Sequence, residues 1–276
     1  MAASMTAIKI TQVDAFTHTP FQGNPAAVCI TDTALGDEQM QAIAAEMNLS
    51  ETAFLVPLAE GGYHLRWFTP KTEVDLCGHA TLASAHVLWS EGHLEPEAVA
   101  KFKTKSGWLS ARKLAEADSW IELDFPAQPV ETTGYVSPQL IKSLCCHGNI
   151  RTVSKNETNY LVEMQSEKAL VALQPDFTEM GKLPTQGIIA TAEADDEAYD
   201  FVSRYFAPAA GIDEDPVTGS AHTSLAPYWQ AKLDKSSMLA KQVSDRGGVL
   251  KVTCDSDNRI KISGQAVTVL KGELFY

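Results

Sequence analysis

The chain has 276 residues, 45% of them hydrophobic and 21% charged, enough to bury a sizeable core as one large domain or two smaller ones. A formal charge of −13 argues against a nucleic-acid partner, because binding to a phosphate backbone runs on a basic face. The longest apolar runs fall far short of a bilayer span, the opening MAASMTAIKI has neither a basic leader nor a long apolar core, and five cysteines with one adjacent pair do not suit a disulfide framework. A reduced, cytosolic protein with no membrane partner is expected.

In chain order, alternating stretches at 7–16, 26–31 and 51–57 read as strands. A helix falls between the last two, over GDEQMQAIAAEMN (36–48), where Met40, Ile43, Ala44 and Met47 share a face and Asp37 can cap the start. Further strands follow at 63–68, 100–107, 108–114 and 120–126, with a second helix from about His79 to Trp89. After Pro126 the polar AQPVETTGYVS (127–137) reads as a crossover. Beyond it QLIKSLC (139–145) is helical and NYLVEM (159–164) and GIIATA (187–192) are extended. GSAHTSLAPYWQ (219–230) is a helix that Pro227 should kink, and strands run to the end. The terminal GQAVTVL (264–270) and GELFY (272–276) could join either half. The fold class is α+β and strand-rich.

The chain also repeats itself. Arg66-Trp67-Phe68-Thr69-Pro70 matches Arg204-Tyr205-Phe206-Ala207-Pro208, and each is followed by acidic residues and then by Gly-His-Ala (78–80) or Gly-Ser-Ala (219–221). The offset is 138 residues at the Arg and 141 at the Gly, far longer than a solenoid unit. Two homologous halves related by a pseudo-twofold axis are expected.

Each copy leads through Gly into a helix rich in Gly, Ala, Ser and Thr, a composition suited to close burial. The first amides of such a helix have no intrahelical partner, and Gly78 and Gly219 leave room for a ligand to approach them without meeting a Cβ. These glycines either serve turns or form two anion sockets that together favour a small carboxylate. His79 follows the first socket and Ser220 the second. Asp213, Glu214 and Asp215 crowd before the second; Asp213 and Glu214 suit solvent or a helix N-terminus, while Asp215, ahead of Pro216, is open between a functional and a capping role.

Glu51 opens a strand on which alternation places it with Ala53 and Leu55. It is either an edge glutamate in water or a carboxylate among apolar neighbours, where burial would raise its pKa and suit a base that returns its proton. Cys77 lies where a helix N-terminus would favour thiolate, but a two-thiol racemase needs a matching thiol, and the second copy has Thr218 there. A packing role for Cys77 follows. His79, His86 and His93 recur at seven-residue spacing, which spreads them about 10 Å apart along a helix, too far to converge on a metal. No zinc spacing, P-loop or dinucleotide fingerprint occurs, and SDRGGVL around Arg246 reads as a hairpin turn.

Taken together, DAFTHTPFQGNPAAVC, MNLSETAF, RWFTP, LCGHATLASAH, RYFAP, EDPVTGSAH and GQAVTVLKGEL resemble the phenazine-biosynthesis PhzF-like family, most closely its phenazine biosynthesis-like domain branch, from end to end. The resemblance implies a diaminopimelate epimerase-like fold of two pseudo-symmetric halves, each a β-barrel-like sheet around a central helix. The halves are expected to be 1–126 with 266–276, and 127–265. It implies an isomerase that uses no cofactor and no metal, acts on a small carboxylate-bearing substrate and forms a homodimer. Glu51 would be the acid/base, with His79 and Asp215 as its catalytic companions and Gly78, Gly219 and Ser220 binding substrate. The alternatives are an amino-acid racemase or epimerase working through Cys77 or Glu51, and a ligand-binding protein on the same fold, which an exposed Glu51 would favour.

Overall fold

The computed structural model describes residues 6–115, 119–146, 148–255 and 257–276, so the first five residues of the opening stretch lie outside it. Its contacts divide the chain into two compact units, one reaching up to Asp124 and resuming at Ser263–Tyr276, the other Phe125–Ile262.

The first unit contains β1 (Ala7–Ala15), β2 (Asn24–Ile30), α1 (Asp37–Met47), β3 (Glu51–Pro57), β4 (Tyr63–Phe68), the short β5 (Glu73–Val74), α2 (Gly78–Ser90), β6 (Ala100–Thr104) and β7 (Gly107–Lys113). The chain leaves this unit within β8 (Ile121–Pro126). The second contains β9 (Glu131–Thr132), α3 (Pro138–Leu144), β10 (Ile150–Lys155), β11 (Asn159–Met164), α4 (Glu167–Val171), α5 (Phe177–Met180), β12 (Gly187–Glu193) and β13 (Phe201–Ala207). After a 3-10 turn at Pro208–Ala210 come β14 (Ile212–Asp215), α6 (Gly219–Leu233), β15 (Ser237–Gln242) and β16 (Gly248–Cys254). The chain returns within β17 (Arg259–Gly264), and β18 (Ala266–Phe275) closes the first unit.

The strand pairings show why the sequence repeats. In the first unit β1/β2 is antiparallel, β2/β3 parallel, β3/β4 antiparallel, β4/β6 parallel and β6/β7 antiparallel. In the second unit the same alternation runs through β10/β11, β11/β12, β12/β13, β13/β15 and β15/β16. In both, a short antiparallel strand, β5 or β14, leads from the repeated Arg-x-Phe-x-Pro to the small-residue helix. The two terminal stretches prove to be one strand, β18, which pairs antiparallel with β1 through a bulge at Gln12/Val13.

A sheet that ran flat could cover α2 on one face only, yet α2 touches β1, β2, β3, β7 and β18. The sheet therefore curls around it, and small residues let it. Ala80, Leu82, Ala83, Ser84 and Ala85 are buried on every side of the helix. Gly264 faces the aromatic ring of Phe16, where a Cβ would come within 2.3 Å. The other sheet face of this unit packs Ala27, Cys29, Phe54 and Phe68 under Met40, Ile43 and Ala44 of α1. Burying each of the larger of these side chains contributes roughly 1.5–3 kcal/mol. In the second unit Leu140, Leu144, Leu170 and Met180 from α3, α4 and α5 cover Val162, Ile188, Ala190 and Phe206 in the same manner.

Two local expectations change. The N-cap of α1 is Gly36, whose N–H bonds back to Gln39 Oε1 at 3.1 Å, so Asp37 lies inside the first turn and receives Arg66 at 2.7 Å. Glu214, expected in solvent, forms a two-pronged pair with Arg204, with both contacts at 2.7 Å, while Asp213 is exposed. Pro227 sits inside α6, which continues to Leu233. The turn around Arg246 does join a hairpin, β15 to β16.

α6 also carries a pH-dependent feature. His222 is fully buried, donates Nδ1–H to the Thr218 carbonyl at 2.8 Å and stacks beside Phe201. Burial drives its pKa down to about 4. The unfolded chain takes up this proton near pH 6.5 and the folded chain only near 4, so stability falls as pH drops through that window, by about 3 kcal/mol at its lower end. Urea unfolding of His222→Phe should show a smaller stability difference between pH 7 and pH 4.5 than the parent protein; equal differences would clear His222.

Candidate active site

Three chain segments bring the candidate residues of the first unit together. Between β1 and β2 the backbone turns through left-handed conformations at Phe16, Phe21 and Gly23. The buried Asp14 accepts the Phe21 amide at 2.7 Å and pins this turn. Gly23 is required here, because a Cβ would meet the Ala15 carbonyl at 2.2 Å. The turn delivers Asn24 as the first residue of β2, with no exposed surface. α1 ends at Asn48 in a left-handed cap, and three residues later Glu51 opens β3 opposite Ala26 of the parallel β2. The third segment is the start of α2, with Cys77 as N-cap and Gly78 and His79 as its first two residues.

Glu51 is buried, at 8% exposure, which removes the reading of an edge glutamate in water. Its Oε2 lies 3.1 Å from Nε2 of His79, within ion-pair distance. The approach is off the line of a hydrogen bond, and neither atom has another hydrogen-bond partner among the described residues. Two buried polar atoms in this condition are costly to a fold unless a bound molecule engages them. On the other edge of the ring, Nδ1 is 3.1 Å from Asn24 Nδ2 and 3.6 Å from the Cys77 sulfur.

The surroundings act on both groups. Burial pushes the Cys77 thiol up to about 11, and the nearby Glu51 carboxylate adds to that, so the sulfur is a neutral S–H near neutral pH. The helix N-terminus does not make it a thiolate, contrary to what its position alone suggests. For His79, burial opposes the charged ring, whereas charge on Cys77 and on Glu51 would draw it well upward. With Cys77 neutral, the larger of those two pulls is gone, and the Glu51 carboxylate remains to draw the ring upward against its burial. Ligand atoms of Glu51, Cys77 and His79 lie within 4.8 Å of one another, close enough to share a metal ion. A protonated thiol and an Nδ1 engaged by Asn24 suit proton handling better.

In the second unit Asp215 ends β14 and is buried; its Oδ2 accepts the hydroxyl of Thr218, the N-cap of α6. Asp215 therefore holds the cap and is not the cap itself. Gln242, fully buried, staples the same corner: its Oε1 accepts the Thr218 amide at 2.9 Å, and its Nε2 donates to the Asp215 carbonyl at 2.7 Å. Gly219 follows in the first turn of α6, buried, with Ser220 half-buried. Each helix start thus keeps its equivalent N-cap, Cys77 or Thr218, while the residue after the glycine differs. Asn24 and Gln242 were not singled out from sequence, although Asn24 lies in the PFQGNPAAVC stretch.

The chain matches the family described as phenazine biosynthesis-like protein, PhzC-PhzF, over residues 13–272. It is 52% identical to an uncharacterized isomerase of Halalkalibacterium halodurans, covering 95% of this chain and 96% of the other. This chain belongs to the PhzC-PhzF family. As the family implies, it is an isomerase. It is 42% identical to the mouse phenazine biosynthesis-like domain-containing protein 1, again covering 95% of this chain and 96% of the mouse protein. The crystal structure of a PhzF-family protein from Enterococcus faecalis superposes with a TM-score of 0.89 at 39% identity, covering 98% of this chain and 100% of the other. A hydroxyproline epimerase from Agrobacterium vitis, at 12% identity and a TM-score of 0.63 over 98% of this chain and 92% of the other, shares the fold alone. The epimerase-like fold class read from the sequence is therefore the observed one. No described helix is long and apolar enough to cross a membrane.

Proposed function

We propose that this chain is a cofactor-independent isomerase that moves a proton between two carbons of a small carboxylate-bearing substrate, with Glu51 as acid and base. The observation that carries this is the buried Glu51 oxygen beside His79 Nε2, both lacking a hydrogen-bond partner. In the reaction the Glu51 carboxylate takes a proton from a carbon next to a carbon–carbon double bond. The electron pair left behind shifts into that π system and moves the double bond. The protonated Glu51, whose carboxyl hydrogen exchanges with water while the intermediate is bound, then delivers a proton to a second carbon, so no atom or electron is gained or lost. Amides at the Gly78 and Gly219 helix starts would hold the substrate carboxylate, and Ser220 would add a hydroxyl. His79 and Asp215 would orient the substrate's amino or hydroxyl group.

The reading extends to a homodimer in the cytosol, and the five free cysteines fit a reducing compartment. The contact between Cys77 and His79 favours one rival, a racemase that uses the thiol, although a thiol held near 11 and a threonine at the matching position weigh against it. An exposed Glu51 would have favoured the binding-protein alternative, and Glu51 is buried.

The test is a screen of small carboxylates in deuterated water. An isomerase places deuterium on a carbon whose double bond has moved, whereas a racemase labels the inverted centre and leaves every double bond where it was. Cys77→Ser should retain exchange to within about threefold, since sulfur is given no part in the proton transfer. A loss of a hundredfold or more would transfer the role to the thiol.

A further inference from the structure

The ring of His79 is held by three groups from three elements, and their hydrogen-bonding capacities do not match. Glu51 from β3 faces Nε2; as a carboxylate it can only accept. Asn24 from β2 presents its amide nitrogen to Nδ1 at 3.1 Å, and an amide nitrogen can only donate. The Cys77 sulfur, at the start of α2, lies 3.6 Å from the same Nδ1, and as a thiol it too is a donor. Among the described residues Glu51 and Cys77 are the titratable groups against this ring.

A neutral imidazole has one N–H and one lone pair. With donors at Nδ1 and an acceptor on the side of Nε2, the lone pair belongs on Nδ1 and the hydrogen on Nε2. Charging the ring would place a second N–H at Nδ1, against the Asn24 amide hydrogens. Asn24 is fully buried at the first position of β2, where it pairs opposite Ala15 of β1.

We infer that Asn24 is a positioning residue for the proton transfer: it fixes His79 as the neutral ring with its hydrogen on Nε2, so that no positive charge beside Glu51 weakens it as the base. Were His79 to carry a second N–H at Nδ1, its positive charge 3.1 Å from Oε2 would stabilise the Glu51 carboxylate, weaken it as a base and slow removal of the proton from carbon. The inference rests on the proposed role of Glu51, but its first test does not use turnover.

The experiment is nitrogen-15 NMR of histidine-labelled protein, with the His79 signals assigned through His79→Asn. The parent protein should show an unprotonated Nδ1 and a protonated Nε2 at neutral pH. Asn24→Asp replaces the donor with an acceptor and should protonate both nitrogens. In the same variant kcat should fall roughly 10–100-fold, the range seen when the outer partner of a metal-bound histidine is lost, with KM changed less than about twofold. The acid limb of its kcat profile should move as well. Asn24→Ser, which can still donate, should restore part of the loss. A His79 in the parent that carries hydrogen on Nδ1, alone or with Nε2, overturns the inference without any variant having to fold. So does an Asn24→Asp protein with altered protonation and unaltered kcat. If instead the parent tautomer is as stated and Glu51→Gln retains full activity, the base assignment fails and the inference with it, while the geometry at Nδ1 stands.

Discussion

Glu51→Gln is expected to lower proton exchange into substrate by roughly 10²- to 10⁴-fold, the usual contribution of a positioned acid/base. Glutamine is nearly isosteric, so the packing of β3 against β2 should survive. What changes is the atom beside Nε2 of His79: a carboxylate oxygen that can take a proton becomes an amide group that cannot. The fall should lie in kcat with little change in KM, because the substitution leaves the carboxylate sockets proposed at Gly78 and Gly219 unaltered. Glu51→Asp gives an independent reading. It keeps the chemistry but withdraws the carboxylate by one methylene, and a displacement of about 1 Å is enough to cost on the order of 10²-fold. The measurement is the rate of deuterium wash-in on whichever carboxylate the screen identifies, beside a thermal melt showing that each variant folds. If Glu51→Gln exchanges as fast as the parent, another group removes the proton.

The tandem architecture was legible from a few letters because those letters have a fixed mechanical job. In Arg-x-Phe-x-Pro the Arg lies over the Phe ring two residues on, at 5.1 Å for Arg66 and Phe68 and 5.0 Å for Arg204 and Phe206. Each guanidinium then grips a glutamate on the short strand before the helix, Glu73 or Glu214. Arg66 holds Glu73 down to about 2, so the clasp stays charged throughout the neutral range. The glutamates themselves were not legible as partners. The spacing from Arg to Glu is seven residues in one copy and ten in the other, since a 3-10 turn at Pro208–Ala210 and a left-handed Gly211 intervene in the second.

Pattern also placed Glu51 on the face with Ala53 and Leu55, but alternation could not decide whether that face was wet. The answer came from α2, which covers it. Asn24 was illegible for a different reason. Its significance arises at the ring of a histidine 55 residues away, and only the strained turn through Phe21 and Gly23 brings the two together. Short-range periodicity records which side of a strand is buried; it carries no record of which polar atom waits there.

The largest effect on stability is expected from Glu163→Ala, in the second unit. Glu163 lies on β11 with its side chain almost wholly enclosed. Oε2 accepts from the Thr152 hydroxyl at 3.0 Å, the Tyr228 hydroxyl at 2.8 Å and the Lys232 ammonium at 2.6 Å, and Arg151 approaches Oε1 at 3.4 Å. Burial alone would raise its pKa, but the hydrogen bonds from Lys232, Tyr228 and Thr152 outweigh it and hold the group below the ordinary carboxylate range. Two of its partners belong to α6, so this one carboxylate anchors the C-terminal half of that helix. There Lys232 lies over the rings of Tyr228 and Trp229, and Trp229 stacks on Phe201 at 5.6 Å. Removing one member of a buried ionic group leaves the others unpaired, and about 3–5 kcal/mol of stability should be lost. Urea unfolding measures it, and a cycle with Lys232→Met should show the two residues strongly coupled. The sign with pH follows from the lowered pKa: the contribution is full above the unfolded value near 4.3 and is lost as pH falls through the lower folded value. In Glu163→Ala that acid-side loss should shrink. A variant as stable as the parent at pH 7 would show that the network merely fills space and that α6 is held by its aromatic stack.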